Sequence, residues 1–198
     1  MLTDKRVKEV FRNIPELESE RLLLCKITSL DAKGMYDYSR REEVTRYLTW
    51  NPHTSLLQTE RYVRLLQKKY ADGAFWDFGL HDKATRDFIG TCGFTSFHYD
   101  ENCAEIGYVL SPTYWGRGLA AEACRTVLKF GFSVFDFDFV CARFIEGNTA
   151  SERVMQKLGM CYETTYKNSF FIKNRYRTVV EYRLSKNDFF AALQNKSE

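Results

Sequence analysis

Two glycines, Gly116 and Gly118, flank an arginine in the stretch SPTYWGRGLAAEA, residues 111 to 123. Glycine at this density normally marks a turn, yet the residues that follow are strong helix formers. The first N–H groups of a helix have no partner inside it, and together with the helix dipole they attract anions. Glycine lets such groups approach a ligand without an obstructing side chain. The candidate phosphate-binding residues are Trp115, Gly116, Arg117, Gly118, Leu119 and Ala120.

Three interpretations of this turn compete. The glycines only allow the chain to turn, or they form a dinucleotide-binding turn, or they form a cradle for the diphosphate of coenzyme A. The dinucleotide interpretation has a match to G-x-G-x-x-A that ends at Ala121, and Asp136 and Asp138 lie near the offset of a ribose-binding carboxylate. However, five residues separate the preceding strand candidate from Gly116, and repeated βα units are missing from the preceding hundred residues.

Glu105 is a carboxylate within an otherwise apolar strand candidate, residues 104–110. Strand alternation places it on one face with Gly107 and Val109. A solvent-exposed position would explain it, and so would a role as general base that acts through water on an acceptor ammonium. Gly107 marks either a bulge in this strand or a close packing contact.

A second chemical candidate is the stretch Asn148-Thr149-Ala150-Ser151-Glu152. Thr149 and Glu152 match a capping box, T-x-x-E, that opens a helix over residues 149–158. Capping accounts for most of this stretch, and the hydroxyl of Ser151 is left available for chemistry.

Composition excludes several classes of protein. The chain is 44% apolar and 16% aromatic, and its net charge of +3 is too small and too dispersed to indicate a nucleic-acid or membrane partner. The six cysteines are scattered singly, and His53, His81 and His98 form no metal or triad pattern. The N-terminal residues are too charged for a secretory signal, so we expect a soluble cytoplasmic protein with reduced thiols and without a metal.

Periodicity and turn residues predict one α/β (α+β) domain over residues 1–198, with a mostly antiparallel sheet flanked by helices. Residues 1–15 form an N-terminal helical extension and residues 185–198 a C-terminal tail. Predicted helices cover 2–14, 31–40, 56–70, 118–134 and 149–158, and predicted strands cover 21–27, 75–80, 88–94, 104–110, 139–145, 161–168 and 177–184.

Two segments together, AEIGYVLSPTYWGRGLAAEA and GNTASERVMQKLGM, make the chain resemble the GNAT superfamily of acyl-CoA N-acyltransferases. Weaker likeness continues upstream in ESERLLL and TRYLTWNPHTS, and the branch with the Rim-type ribosomal-protein N-terminal acetyltransferases is the closest. The family's Q/R-x-x-G-x-G/A cradle falls on residues 113–118. Thr113 departs from the usual Gln or Arg, which removes a side-chain contact and leaves the backbone cradle.

The resemblance implies a splayed strand pair that holds acetyl-CoA as a co-substrate. The backbone of Tyr108, Val109 and Leu110 would pair with the pantetheine arm, and a donor near Val109 would polarise the thioester carbonyl. Asn148 matches a residue that hydrogen-bonds the same arm, and Ser151 occupies the position of a hydroxyl near the departing thiolate.

The expected activity is therefore direct N-acetyl transfer from acetyl-CoA to an amine, with Glu105 as the general base that takes the proton of the acceptor ammonium. Trp50 and His53 lie in the segment that flanks the acceptor entrance in this family. The acceptor is either a protein N-terminus or a small-molecule amine, and the chain is a monomer or a homodimer. The alternatives are a non-catalytic acetyl-CoA sensor of the same fold and a dinucleotide-binding enzyme.

Overall fold

The computed structural model describes residues 2–194. The strands are β1 (Leu17–Glu18), β2 (Leu22–Cys25), β3 (Asp77–Asp82), β4 (Phe88–His98), β5 (Cys103–Leu110), β6 (Phe139–Ile145), β7 (Cys161–Ile172) and β8 (Arg175–Ser185). The helices are α1 (Asp4–Arg12), α2 (Ala32–Ser39), α3 (Glu42–Thr45), α4 (Leu56–Ala71), α5 (Leu119–Phe135), α6 (Thr149–Leu158) and α7 (Lys186–Gln194), with short 3₁₀ turns at Ser29–Asp31 and Pro112–Tyr114.

All eight strands form one sheet in the order β1-β2-β3-β4-β5-β6-β8-β7. Within residues 2–194 the pair β5–β6 is parallel, and every other neighbouring pair is antiparallel. The predicted fold class, a mostly antiparallel sheet flanked by helices, is confirmed. Each predicted helix and strand has a counterpart in the structure, with shifted bounds in several cases; β1, α3 and the C-terminal helix α7, which lies in the predicted tail, were not predicted.

The parallel pair is short, and this shapes the site. β5 contacts β6 through residues 103–105 alone, which pair with residues 139–141. Beyond Glu105 the two strands diverge, so one edge of β5 is left without a neighbouring strand as far as Leu110.

The bulge of this region lies on β4 and not at Gly107. The register between β4 and β5 shifts between Phe94 and Ser96, which makes Thr95 the extra residue. A Cβ added to Gly107 would lie 2.6 Å from Cγ2 of Thr95. Gly107 is therefore the close packing contact, the second of the two alternatives.

Each face of the sheet carries its own hydrophobic core. On one face the side chains of α1, α5 and α7 pack against alternate residues of the central strands, such as Leu22, Phe78 and Phe94. On the other face α2, α3 and α4 enclose a smaller core around Val63 and Tyr70. We call these the large-core face and the small-core face.

Two further observations concern the described residues. Among residues 2–194, every helix is too short or too polar to cross a bilayer, and His, Cys, Asp and Glu side chains nowhere cluster as a metal site would require. All six cysteines are free thiols.

Candidate functional site

Helix α5 begins on bare backbone at the predicted glycine turn. Gly116 and Gly118 both have positive φ, +75° and +79°, a conformation that glycine adopts without strain. Gly118 is the N-terminal cap and supplies no side chain, and the first intrahelical bond runs from the N–H of Glu122 to the Gly118 carbonyl. Within residues 2–194 the N–H groups of Gly116, Arg117 and Gly118 have no hydrogen-bond partner. Several donors therefore converge at a positive dipole end.

The space in front of this turn is open, and contacts from Arg21 hold the turn and the start of α5 in place. A Cβ added to Gly116 would meet no heavy atom within 4 Å. Arg21 donates to the Arg117 carbonyl at 3.1 Å and pairs with Glu122 at 2.6 Å. Burial alone would raise the pKa of Glu122, but hydrogen bonds from Ser19 and Arg21 lower it. The residues present therefore fit a diphosphate group.

The free edge of β5 offers backbone groups to a ligand. In an antiparallel pair, alternate residues direct both N–H and C=O to the same neighbour. The N–H of Ser111 donates to the Ile89 carbonyl, so Val109, two residues earlier, is also bonded to β4. The groups on the open side belong to Tyr108 and Leu110. The expected donor near Val109 is thus one of these two N–H groups, because the N–H of Val109 itself bonds to Thr91.

Trp115 occupies one acceptor of this edge. Its indole Nε1 donates to the Leu110 carbonyl at 2.8 Å, while 48% of the side chain remains exposed. The Leu110 carbonyl is therefore not free for a ligand, although its N–H is. Arg117 lies over the ring of Tyr114 at 5.1 Å, so its charge stays near the turn.

Glu105 lies where β5 and β6 separate, on the small-core face, and it is not simply a solvated residue. Its side chain is 20% exposed and pairs with Arg143 of β6 at 3.1 Å. Arg143 also pairs at 2.7 Å with Glu181 of β8, which is fully buried. Burial raises the pKa of Glu105, and the charge of Arg143 counteracts that effect.

On the large-core face, α6 directs Ser151 toward the open edge. The hydroxyl of Ser151 lies 2.8 Å from that of Tyr108, and Tyr108 also lies 3.0 Å from the Ser151 carbonyl. These contacts bridge the gap between β5 and α6. Burial raises the pKa of Tyr108, which keeps the phenol neutral.

The predicted capping box is wrong by one residue. Asn148 is the N-terminal cap, since its Oδ1 accepts the N–H of Ser151 at 3.2 Å, and Thr149 is the first helical residue. The Glu152 carboxylate instead accepts a hydrogen bond from Tyr182 at 3.1 Å. The side-chain nitrogen Nδ2 of Asn148 has no partner within residues 2–194, so it is available to donate.

Trp50 and His53 lie together, with ring centroids 5.6 Å apart, and His53 Nδ1 lies 2.7 Å from the Thr59 hydroxyl. Burial lowers the pKa of His53. The same segment reaches the start of α6, because a Cβ on Gly147 would lie 3.6 Å from the Tyr47 hydroxyl. Tyr47 of this segment therefore lies near the start of α6.

The histidines form no triad pattern in the sequence, but the structure places His81 between Cys25 and Asp31. His81 Nδ1 lies 3.5 Å from Cys25 Sγ, and its Nε2 lies 2.9 Å from Asp31 Oδ1. The hydrogen bond that His81 donates to Asp31, then the one that it shares with Cys25, raises the pKa of His81 to about 9. This cluster lies at the outer strands β2 and β3, away from the open edge of β5.

Sequence reasoning missed the charged residues that position the site: Arg21, Glu122, Arg143 and Glu181. Arg143 is the one charge in an otherwise apolar strand, whereas β8 and α5 contain other charges besides Glu181 and Glu122, so the sequence does not single these two out. A partner for such a charge lies far away along the chain, 38 residues from Arg143 in the case of Glu181.

Several known proteins of similar sequence are named as N-acetyltransferases. The uncharacterized N-acetyltransferase p20 of Bacillus licheniformis is 30% identical over 173 residues, which cover 87% of this chain and 97% of that protein. The spermidine N(1)-acetyltransferase of Escherichia coli strain K12 is 24% identical over 169 residues, covering 81% of this chain and 84% of that protein.

Solved structures with the same architecture include a GNAT-family acetyltransferase from Bacillus anthracis. It has a TM-score of 0.78 and 26% identity, with 87% of this chain and 99% of that chain covered. RimL, a ribosomal L7/L12 α-N-protein acetyltransferase in complex with coenzyme A, has a TM-score of 0.74 over 88% of this chain and 99% of its own. At 17% identity it shares the fold alone. The family model for the acetyltransferase (GNAT) domain matches residues 21–161. The chain therefore belongs to the GNAT acetyltransferase family.

Proposed function

We propose that this chain transfers the acetyl group of acetyl-CoA directly to the nitrogen of an amine. The observation that carries the proposal is two sets of unpaired backbone groups that are close in the chain. One set is the open edge of β5, at Tyr108 and the N–H of Leu110, and the other is the start of α5 at residues 116–118.

The start of α5 would hold the diphosphate. Unpaired N–H groups at a helix N-terminus bind phosphate oxygens, and the glycines leave room for them. Arg117, which lies over the ring of Tyr114, supplies a cation beside the turn, while Arg21 is already paired with Glu122. The N–H and carbonyl of Tyr108 would pair with the pantetheine amides as an added strand does. Asn148 would donate its free amide N–H to the same arm.

When bound, acetyl-CoA supplies a thioester whose carbonyl carbon accepts the amine and whose sulfur leaves as coenzyme A thiol. The chain's own residues hold the two reactants together, and this proximity supplies much of the acceleration. An open N–H of β5, from Tyr108 or Leu110, polarises the carbonyl. Glu105 accepts the proton of the acceptor ammonium, directly or through a water molecule. The Ser151 hydroxyl donates toward the leaving sulfur while Tyr108 holds its oxygen in place.

The acceptor enters from the small-core face, past Trp50 and His53. Two acceptor classes suit this entrance: the α-amine of a protein, as in RimL, and a small amine, as the name of the E. coli relative indicates. We place the protein in the cytoplasm, where its six free thiols remain reduced.

The test is release of coenzyme A thiol from acetyl-CoA in the presence of a panel of amines. We expect thiol release that depends on both the amine and the enzyme. If the chain binds acetyl-CoA but no amine causes release of coenzyme A thiol, the enzyme proposal is wrong and the non-catalytic sensor is favoured. Thermal stabilisation by NAD(P) and not by acetyl-CoA would favour a dinucleotide enzyme, since a ligand of the native state raises Tm.

A further inference from the structure

Cys25, the last residue of β2, faces an imidazole across the sheet. Its Sγ lies 3.5 Å from His81 Nδ1, and the two residues are diagonal neighbours on β2 and β3. Leu22 and Leu24 point into the large core, so strand alternation directs Cys25 to the small-core face. Both Cys25 and His81 are half-buried, so a small molecule from solvent has access to this pair.

Asp31 fixes the orientation of the imidazole ring. Its Oδ2 accepts the N–H of Thr28 at 2.7 Å and the Thr28 hydroxyl at 3.0 Å, while its Oδ1 lies 2.9 Å from His81 Nε2. Burial alone would raise the pKa of Asp31, but hydrogen bonds from His81 and Thr28 lower it, so the carboxyl is ionised at neutral pH. An ionised carboxylate only accepts hydrogen bonds, and Nε2 therefore carries the proton of this contact. Nδ1 is the nitrogen left for the sulfur.

The proton between sulfur and Nδ1 has two positions. Either Nδ1 accepts the S–H of Cys25, or it is protonated and donates to a Cys25 thiolate. In both cases the imidazole takes the proton that the thiol must lose before the sulfur can attack. A nucleophile in contact with a base, which a third group orients, is the arrangement that activates cysteine. Cys25, His81 and Asp31 have this arrangement.

The other groups around the pair do not oppose a thiolate. Phe88 of β4 contacts the imidazole edge-on at 5.4 Å, and Tyr38 of α2 stacks on Phe88. Burial raises the pKa of Tyr38 and of Tyr70 on α4, so both phenols are neutral. Lys26 places its ammonium over the Tyr70 ring at 5.3 Å. The carboxylate of Asp31 is paired with the far nitrogen of the imidazole.

We propose that Cys25 is a reactive thiol, at which small disulfides modify this protein reversibly. The Cys25 sulfur attacks one sulfur of the disulfide and forms a mixed disulfide with it. The S–S bond of the reagent breaks, and its second sulfur leaves as a thiolate that takes up the proton His81 received from Cys25. A second thiol reverses the reaction by the same exchange. The inference does not rest on the proposed acetyl transfer, because the triad lies away from the open edge of β5.

Cys161 is an internal control, because it is exposed and its thiol has no hydrogen-bond partner within residues 2–194. An unassisted thiol is about 0.3% thiolate at pH 6, and this fraction rises nearly tenfold per pH unit up to pH 8. Alkylation of Cys161 should follow that rise. Alkylation of Cys25 should depend much less on pH, and at pH 6 it should be about tenfold or more faster than that of Cys161, although Cys161 is the more exposed.

The experiment treats the full chain with a limiting amount of iodoacetamide at pH 6, 7 and 8. Mass-spectrometric peptide mapping then gives the alkylated fraction of every cysteine. The sulfur displaces iodide from carbon, and the thioether neither reverses nor migrates, so the fractions report relative rates. The remaining four cysteines are buried and should stay unlabelled, which shows that the chain is folded during the reaction.

A second reagent tests the disulfide chemistry directly. At pH 7, 2-hydroxyethyl disulfide should place its mixed disulfide on Cys25 before Cys161, and dithiothreitol should remove it. Cys25→Ser should abolish this adduct. Modification of Cys161 first would contradict the proposed site.

Variants of the triad test the part played by the imidazole. In His81→Gln, alkylation of Cys25 at pH 6 should fall about tenfold or more and acquire the pH dependence of Cys161. Asp31→Asn keeps the base but loses its charged partner, so the decrease should be smaller. His98→Gln should behave as the wild type, because His98 contacts Ser96 and not a thiol.

The wild type alone can overturn the inference. If Cys25 is alkylated no faster than Cys161 at pH 6, the thiol is not activated, and no variant is needed for that conclusion. Rapid alkylation of Cys25 that persists in His81→Gln, with the buried cysteines still protected, would equally contradict activation by the imidazole.

Discussion

At the scale of single residues, Glu105 is subject to two opposing influences. Burial favours its neutral form, and the Arg143 guanidinium at 3.1 Å favours its charged form. The balance leaves a raised pKa, which suits proton transfer better than that of a fully solvated carboxylate. Arg143 itself is held by Glu181, so the pair keeps its geometry when the charge of Glu105 changes.

We predict that Glu105→Gln lowers turnover on the order of 10²-fold with an acceptor amine of lysine type, and less with a protein α-amine. At pH 7 deprotonation costs about 4.6 kcal/mol for an amine with a pKa near 10.4 and about 1.4 kcal/mol for one near 8. Steady-state kinetics with both acceptors between pH 6 and 9 provide the measurement. The variant should also lose the acid limb of the profile that the raised pKa of Glu105 produces.

Glu101→Gln is the matched control, since Glu101 is an exposed carboxylate in the turn just before β5. It should retain wild-type turnover. Unchanged turnover of Glu105→Gln with every acceptor at neutral pH would remove Glu105 from the mechanism.

Ser151 is predicted to act on turnover and not on binding. Ser151→Ala removes the hydroxyl that lies 2.8 Å from Tyr108, while the backbone N–H that Asn148 caps is retained. We expect kcat to fall about tenfold or more with little change in the Kd of acetyl-CoA, since a donor to the leaving sulfur contributes mainly in the transition state. Equilibrium titration measures the Kd of acetyl-CoA, and steady-state assays measure kcat. A loss of affinity with intact kcat would make Ser151 a binding residue.

At the scale of elements, two helices begin at the site in different ways. Helix α6 is capped by the side chain of Asn148, whereas α5 begins at Gly118 without a side-chain cap. An uncapped helix start leaves N–H groups unsatisfied unless a ligand or water takes them. This difference explains why a strong helix-forming run follows a glycine pair: the missing cap leaves the donors available to an anion.

The cap of α6 can be tested by stability. Asn148→Ala should lower the free energy of unfolding by about 1 kcal/mol, within the usual range for loss of an N-cap. Thr149→Ala should change it by less than about 0.5 kcal/mol, because a first-turn hydroxyl without a capping bond contributes little. Urea denaturation of both variants provides the comparison. The opposite ranking would restore the capping box of Thr149 and Glu152.

At the scale of the whole molecule, the Cys25–His81–Asp31 contacts connect the outer strands to the start of α2. Asp31 accepts the N–H of Thr28 at 2.7 Å with one oxygen and contacts His81 at 2.9 Å with the other. The loop before α2 is thereby joined to β3 by a charged pair. Because α2 also packs on the small-core face, this link connects that helical layer to β3.

The link makes stability depend on pH. The pKa of His81 is about 9 in the folded state and near 6.5 when unfolded, so its contribution is fully present below pH 6.5 and is lost as pH rises through about 9. His81→Gln should therefore cost on the order of 2 kcal/mol at pH 6, a value reduced from full linkage by partial exposure, and much less at pH 10.

Chemical denaturation at both pH values measures this difference. His98→Gln is the control, since that imidazole contacts a serine hydroxyl and not a carboxylate. A cost for His81→Gln that is the same at pH 6 and pH 10 would show that the charged pair with Asp31 does not stabilise the fold.

The sequence by itself determined the features that depend on neighbouring residues. The two glycines, the helix-forming run after them and the alternation around Glu105 specify backbone conformation and facing over a few residues, and these predictions agree with the structure. The cap of α6 was misplaced by one residue, because Asn148 and Thr149 are both good caps and local preference does not rank them.

Tertiary structure decided everything that depends on which strands meet. The short pairing of β5 with β6, the Arg143–Glu181 contact and the approach of His81 to Asp31 join residues 36 to 50 positions apart. Asp77, Gly93 and Gly107 are far apart in the sequence, and they lie side by side because the registers of two antiparallel strand pairs align them. Register is set by the burial of whole strand faces, so no short stretch of sequence contains it.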